Sequence, residues 1–245
     1  MKVSIIIPVY NEASTVVELL EQVWQQPLTL EKEIIIIESN STDGSRELVE
    51  RFAQEKRGQV TLILQERPRG KGFAVREGFK KATGDIILIQ DADLEYDVKD
   101  YPTVLQPIID GRTSFVLGSR HVQGDTRNIR KFEGSPIKAQ FMNFGAVLFH
   151  TFFNVLFGVR LTDPTTMFKV FRRSCLDSFT LSGNRFDLDF ELLGKLIRAG
   201  FYPIEVPISY KSRSFAEGKK IRIILDPLLW VRIILKTRFS PLKKA

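Results

Sequence analysis

Short apolar runs rich in Ile and Val recur between stretches of helical periodicity, and this alternation limits more than any other feature what the chain can fold into. The runs over residues 3–7, 34–37, 60–64, 86–89 and 115–117 are continuously apolar, as strands buried on both faces are. Helices are expected between them, near 14–25, 43–54, 73–82 and 101–109. Such alternation predicts an α/β fold with a mostly parallel, Rossmann-like central sheet flanked by helices.

In a sheet of this kind the ligand crevice lies at the carboxyl ends of the strands. Those positions hold Pro8-Val9-Tyr10-Asn11-Glu12, Glu38-Ser39-Asn40, Gln90-Asp91-Ala92-Asp93 and Gly118-Ser119-Arg120. After Arg120 the pattern changes to a polar, basic loop over 121–138 and an uncharged, Phe-rich stretch over 141–159. The turn Thr162-Asp163-Pro164, a strand over 166–171, a helix near 188–199 and an extended segment over 203–210 complete the order. No repeat or low-complexity linker divides the chain. Two units are expected: residues 1–220 as the α/β domain, and 221–245 as a basic, amphipathic, membrane-facing segment.

The 19 residues over 141–159 carry no charge and meet the length of a membrane span. Asn143, His150 and Asn154 nevertheless share one stripe, with phenylalanines on the other faces, so an interfacial or core helix is expected. His121 and His150 are the only histidines, and neither is given a chemical role. The single cysteine, Cys175, excludes an internal disulfide and a cysteine-rich zinc site and suits a reducing compartment. The apolar run before Pro8 is too brief for a signal peptide, which points to the cytoplasm. From Lys211 onward ten Lys/Arg face only Glu217 and Asp226, a net +8 against +7 for the whole chain. An anionic partner is expected at that tail. A membrane surface suits the interleaved Trp230 and aliphatic residues, and no nucleic-acid motif accompanies the charge.

Asp91 and Asp93 stand two apart at a strand exit, where both carboxylates can face one point. Such a pair suits Mg²⁺ or Mn²⁺, and it equally suits capping of the turn or the next helix. Gly70-Lys71-Gly72 opens a helix and offers free N–H groups and a cation suited to phosphate. Glu12 and Glu38 place acceptors at neighbouring strand ends.

In chain order these residues resemble the family-2 glycosyltransferases with the GT-A fold, above all the dolichyl-phosphate mannose synthase group. The resemblance rests on Ile7-Pro8-Val9-Tyr10-Asn11-Glu12, Ser41-Thr42-Asp43-Gly44-Ser45, Gly70-Lys71-Gly72, Ala82-Thr83-Gly84-Asp85, Asp91-Ala92-Asp93-Leu94, Gly118-Ser119-Arg120, Asp163-Pro164 and Glu205-Val206-Pro207-Ile208. It implies inverting transfer of a hexose from a GDP- or UDP-linked sugar to a polyprenyl phosphate at the cytoplasmic membrane face. By the same resemblance Pro8, Tyr10, Glu12, Glu38, Lys71 and Asp91 bind the nucleotide-sugar. Asp91 and Asp93 hold Mg²⁺ or Mn²⁺, with Glu95 as a third ligand, and Asp163 joins Asp93 in the catalytic site. Two departures stand out. Glu38-Ser39 replaces the paired aspartates of many relatives, and Asp163-Pro164-Thr165-Thr166-Met167-Phe168 replaces their Ser-Gly-Phe.

A phosphate acceptor is already an anion, so cations rather than a base are required of the protein. Arg120, Lys138, Arg213 and Lys219 are the candidates. The alternative acceptor, a sugar hydroxyl, needs a general base, for which Asp189 is chosen. A sugar-nucleotidyltransferase would show a Gly-rich basic loop after the first strand, which residues 8–12 are not. A non-catalytic binding module would tolerate loss of Asp91 and Asp93, and both are present. Walker A and G-x-G-x-x-G motifs are absent, which removes NTPase and dehydrogenase readings.

Overall fold

In the computed structural model, residues 1–122, 136–212 and 225–244 are described, with 136–146 and 225–228 given by their backbone alone. Seven strands form one sheet: β1 (Lys2–Val9), β2 (Glu31–Glu38), β3 (Val60–Leu64), β4 (Ile86–Ile89), β5 (Phe115–Ser119), β6 (Lys169–Arg172) and β7 (Ile204–Pro207). Their spatial order is β3-β2-β1-β4-β6-β5-β7. β6 runs antiparallel to both neighbours, and every other pairing is parallel. The chain winds outward from β1 to β3 and then returns to lay β4 on the other side of β1. The crevice where strand order reverses therefore opens at the ends of β1 and β4, between residues 8–12 and Asp91.

Successive residues of a strand point to opposite faces, so each strand divides between two cores. Ile5, Ile7, Ile34 and Ile36 join helices α1 (Val16–Gln25), α2 (Ser45–Glu55) and α4 (Tyr101–Ile109) in one core. Ile6, Ile35 and Ile37 face the second core. It is closed by α3 (Lys71–Lys81), α5 (Pro136–Phe157), α6 (Asp187–Arg198) and α7 (Leu225–Phe239). Phe149 of α5, Phe190 of α6 and Trp230 of α7 meet ring to ring, with centroids 5.0–5.9 Å apart.

The C-terminal segment is therefore packed on the domain. Ile233 and Ile234 of α7 are buried, while Leu229, Leu235 and Phe239 are exposed, so its apolar residues do not form one stripe. Arg198 of α6 donates to the Ser240 carbonyl at 2.6 Å, and the Arg238 guanidinium donates to the Leu156 carbonyl at 2.8 Å. On α5, Phe153 is buried and Leu148 and Val155 are exposed. Among the described residues no helix is long and apolar enough to cross a membrane.

The edge opposite the crevice is fastened by Glu33 of β2. Its carboxylate accepts from the Ser4 hydroxyl, the Thr83 amide (2.7 Å) and hydroxyl (2.8 Å), and pairs with Lys2 at 3.0 Å. Burial alone would raise its pKa, but these donors outweigh burial and hold it at about 2. A depressed pKa gives stability that is complete above the unfolded carboxyl value, about 4.3, and is lost as pH falls through about 2. Glu33→Gln is expected to cost about 1–3 kcal/mol at pH 7 and much less near pH 2. Urea melts across that range measure it.

Candidate active site

Three turns leaving strands carry non-glycine residues with left-handed backbone: Asn11 (φ 51°) after β1, Asn40 (φ 57°) after β2 and Leu94 (φ 59°) after β4. Such conformations cost free energy and cluster at functional sites. The first two turns are sewn together. The Asn11 amide donates to Ser41 Oγ (2.9 Å), the Thr42 amide to Asn11 Oδ1 (2.9 Å), and the Glu12 amide to Ser45 Oγ (2.8 Å). Glu38 is fully buried and shapes its own turn, accepting from the Asn40 amide (3.1 Å), the Ser41 amide (2.7 Å) and Arg46 (3.3 Å). It stands opposite Val9 in the sheet, and of the residues that follow Val9, Tyr10 keeps an exposed side chain and Glu12 is nearly buried.

After β4, Asp93 Oδ1 accepts from the Glu95 amide at 3.1 Å, which folds the chain back through Leu94. Lys71 reaches across from α3 and places its ammonium 2.5 Å from Asp91 Oδ1. Burial acts to lower the Lys71 pKa, but the charges of Asp91, Asp189 and Asp93 prevail and raise it. Asp91, Asp93 and Asp189 thus lie close enough to Lys71 to act on its charge. Asp189, at the start of α6, is nearly buried, and burial raises its pKa against the pull of Lys71 and Lys169.

Lys169 is a site residue that sequence reasoning missed. It is fully buried on β6, donates to the Thr166 carbonyl, and has its pKa lowered by burial while Asp189 and Asp163 act to raise it. A lysine inside an apolar strand-like run was the available signal.

Gly70 and Gly72 also admit the close approach of another loop to the start of α3. The Phe73 amide at the start of α3 donates to the Asn184 carbonyl at 3.0 Å, so the loop before α6 lies directly on this helix end. A Cβ at Gly72 would stand 2.6 Å from the Arg185 carbonyl oxygen and 2.7 Å from Leu188 Cβ. Gly72→Ala is expected to cost about 1–3 kcal/mol through overpacking and to displace Lys71, seen as a lower melting temperature with weakened donor binding.

The turn aspartate is locked. Asp163, fully buried, accepts two parallel 2.7 Å bonds from the Arg120 guanidinium, a 3.1 Å bond from the Arg120 amide and a 3.0 Å bond from the Thr165 hydroxyl. Glu205 of β7 holds the same turn from below, accepting from the Thr162 and Asp163 amides. Burial would raise the Asp163 pKa, yet Arg120 overrides it and drives the carboxyl far below the usual range. Arg120 itself lies over the Tyr210 ring at 4.8 Å, and the Tyr210 hydroxyl donates to Glu95 Oε2 at 2.9 Å. Glu95, Tyr210, Arg120 and Asp163 therefore form one continuous chain of contacts. Arg213 and Lys219 lie outside the described residues, and Lys138 falls where α5 is given by its backbone alone.

The two histidines, set aside from the sequence, meet beside Asp163. Their rings are 5.5 Å apart at 78°, and His121 Nε2 is 4.0 Å from Asp163 Oδ1. Among the described residues His121, His150 and Asp163 are the only three potential ligands whose donor atoms all lie within 4.8 Å of one another. Four donated hydrogen bonds already fill the lone pairs of Asp163, and a guanidinium neutralises it, so this trio is poorly suited to a cation. Asp91, Asp93 and Glu95, the carboxylates expected to hold the ion, do not gather within that distance of one another, but Asp91 and Asp93 are the better chemical match. They are hard oxygen donors of the kind that bind Mg²⁺ or Mn²⁺ together with phosphate and water, and Asp91 already holds a cationic group in Lys71.

Residues 4–179 match the model of glycosyl transferase family 2. The chain belongs to that family. The dolichol-phosphate mannosyltransferase of Pyrococcus furiosus is 28% identical over 222 residues, 89% of this chain and 59% of that protein. The undecaprenyl-phosphate 4-deoxy-4-formamido-L-arabinose transferase of Pseudomonas fluorescens is 29% identical over 232 residues, 93% of this chain and 62% of that protein. This family-2 chain thus spans about three fifths of the length of these curated relatives. Among solved structures, glucosyl-3-phosphoglycerate synthase from Mycobacterium tuberculosis in complex with Mn²⁺, UDP and phosphoglyceric acid superposes with a TM-score of 0.69. The match covers 98% of this chain and 79% of that one at 16% identity, a likeness of fold. The same enzyme with Mg²⁺ and UDP gives 0.68 at 17% identity, covering 98% and 80% of the two chains.

Proposed function

We propose that this family-2 glycosyltransferase moves a hexose, with inversion, from a GDP- or UDP-linked sugar to a polyprenyl phosphate at the cytoplasmic face of a membrane. The observation that carries the donor side is the convergence of Asp91, Asp93 and Asp189 on Lys71 where the strand order reverses. For the acceptor, support comes from the relatives' names, both of which contain a polyprenyl phosphate.

Pro8, Tyr10, Glu12 and the turn shaped by Glu38 seat the nucleotide, and Lys71 faces the diphosphate. Mg²⁺ or Mn²⁺ on Asp91 and Asp93, with Glu95 as third carboxylate, would act as a Lewis acid for the charge building on the leaving diphosphate. An ionised phosphate needs no base, so the protein's task is to hold and orient it. Arg120, fixed by Asp163, lines that side, and Lys138, Arg213 and Lys219 supply further positive charge. Asp189, buried between two lysines, shapes the donor-sugar side. The exposed apolar residues of α5 and α7, together with Arg232, Lys236, Lys243 and Lys244, face the membrane as a peripheral attachment.

The donor is tested by thermal melting with GDP- and UDP-hexoses, each with and without Mn²⁺. At about 100 times Kd one nucleotide-sugar is expected to stabilise the protein by ~2.7 kcal/mol, a shift of roughly 5–10 °C, only when Mn²⁺ is present. No shift with any donor would overturn the proposal. For the membrane, co-sedimentation with anionic vesicles is expected to fall at high salt. Equal binding to neutral vesicles would remove the electrostatic part.

A further inference from the structure

Gln65, the residue that follows β3, is only 8% exposed, and neither polar atom of its carboxamide is hydrogen-bonded. Its backbone places it at the carboxyl end of the sheet. β3 runs in register with β2 up to the pair Leu64–Glu38, and the Gln65 amide donates to the Glu38 carbonyl at 2.9 Å, so Gln65 lies beside Ser39. Arg46 ties the two strand exits together: it pairs with Glu38 at 3.3 Å, donates to Asn40 Oδ1 at 2.7 Å and reaches the Gln65 carbonyl at 3.4 Å. A carboxamide carries two N–H donors and an acceptor oxygen, and buried groups of this kind are nearly always paired. One left unpaired costs stability that an apolar side chain of similar size would keep. The position therefore suits a partner from outside the chain.

The sheet order indicates which part of a ligand that partner is. Ile63, two residues earlier, packs into the second core on the side that α3 covers, so Gln65 falls on the same side. Lys71 at the start of α3 meets Asp91 beyond the exit of β4. From β3 through β2 and β1 to β4 is three inter-strand steps, about 14 Å in all. A nucleoside diphosphate with its diphosphate at Lys71 and Asp91 covers that span once the hydrogen bonds at its base are included. Uracil and guanine each present an N–H beside a carbonyl, and the oxygen and NH₂ of a carboxamide match that pair. Residues 66–69, which lead on to α3, are exposed and lie outside helix and strand, so they can yield to a ring without disturbing either core.

We infer that Gln65 reads the base of the donor nucleotide, its carboxamide pairing with the N–H and adjacent carbonyl of uracil or guanine. The inference rests on the donor reading proposed above.

The experiment is calorimetric titration of UDP and of GDP, each with Mn²⁺, into wild type and Gln65→Leu, together with thermal melts of both proteins alone. Leucine keeps most of the side-chain volume and removes only the unpaired polar atoms. The unliganded variant is expected to melt no lower than wild type, while its Kd for the nucleotide that wild type prefers rises about 10-fold. Methylation of the base N–H, as in 3-methyluridine or 1-methylguanosine diphosphate, is expected to weaken binding to wild type by a similar factor. It should make little difference to Gln65→Leu, in which the partner of that N–H is already gone. Unchanged nucleotide affinity in Gln65→Leu, or the same methylation penalty in both proteins, would overturn the role of Gln65 and leave the donor reading standing. Wild type that binds neither UDP nor GDP would instead remove the donor reading, and this inference with it.

Discussion

Asp93→Asn is expected to lower sugar transfer by about 10²–10³-fold while leaving the fold within ~1 kcal/mol of wild type. The Asp93 carboxylate accepts a 3.1 Å bond from the Glu95 amide, and an asparagine oxygen can accept that bond equally well. What the substitution removes is charge, at the place where the proposed reaction builds negative charge on the leaving group. Transfer rates with Mn²⁺ titrated over each variant, together with thermal melts, make the comparison. Retained activity with unchanged Mn²⁺ dependence would contradict the metal assignment. A large loss of stability with little kinetic effect would instead make Asp93 a turn-forming residue.

Arg120→Met should be among the most destabilising single changes in the site, costing about 3–5 kcal/mol, because it leaves the Asp163 carboxylate buried and uncompensated. Asp163→Asn should be milder at neutral pH, since an amide can still accept from Arg120 and Thr165. The pH dependence separates them. Burial works against the Asp163 charge and Arg120 works for it, with Arg120 prevailing, so the folded pKa lies far below the unfolded value of about 3.9. Stability from this pair is then complete above about pH 4 and is lost as pH falls toward the depressed folded value. Denaturant melts between pH 2 and 7 should show a shallower acid limb in Asp163→Asn than in wild type. Identical limbs would mean that the pair contributes nothing net.

The parallel half of the sheet was legible because β1, β2, β3 and β4 are continuous apolar runs and each is followed by a helix with its own period. Strand direction was not. β6 spans only Lys169–Arg172 and enters the sheet reversed after α5, and nothing in four residues encodes that reversal. The expected strand over 166–171 begins late because the Thr166 hydroxyl caps the Phe168 amide in a turn. Asp91 and Asp93 were singled out by their place at the exit of β4, Lys71 by its place at the opening of a helix and Asp189 as a carboxylate for a hydroxyl acceptor; the influence of Asp189 on Lys71 emerges only in the fold. Their partners were harder to see. Arg120 and Asp163 lie 43 positions apart with no periodic relation, and the pair emerges only when β5 and the turn before β6 are side by side. The glycines around Lys71 read as a phosphate cradle because a helix end with free amides is one; that they also admit the loop at Asn184 is visible only in the fold.

The acceptor is the centre of the proposal, and its most direct measurement is transfer of a radiolabelled hexose into organic-extractable material. The enzyme would be supplied with donor and Mn²⁺ and with polyprenyl phosphate, a soluble saccharide, or neither. Label is expected in the lipid phase with polyprenyl phosphate, with Asp189→Asn retaining part of the rate because an ionised phosphate needs no proton removed. A hydroxyl acceptor would instead depend on a base worth typically ~10²–10⁴-fold. Label appearing only in the saccharide, abolished by Asp189→Asn, with none in the lipid phase, would contradict the lipid-phosphate acceptor outright.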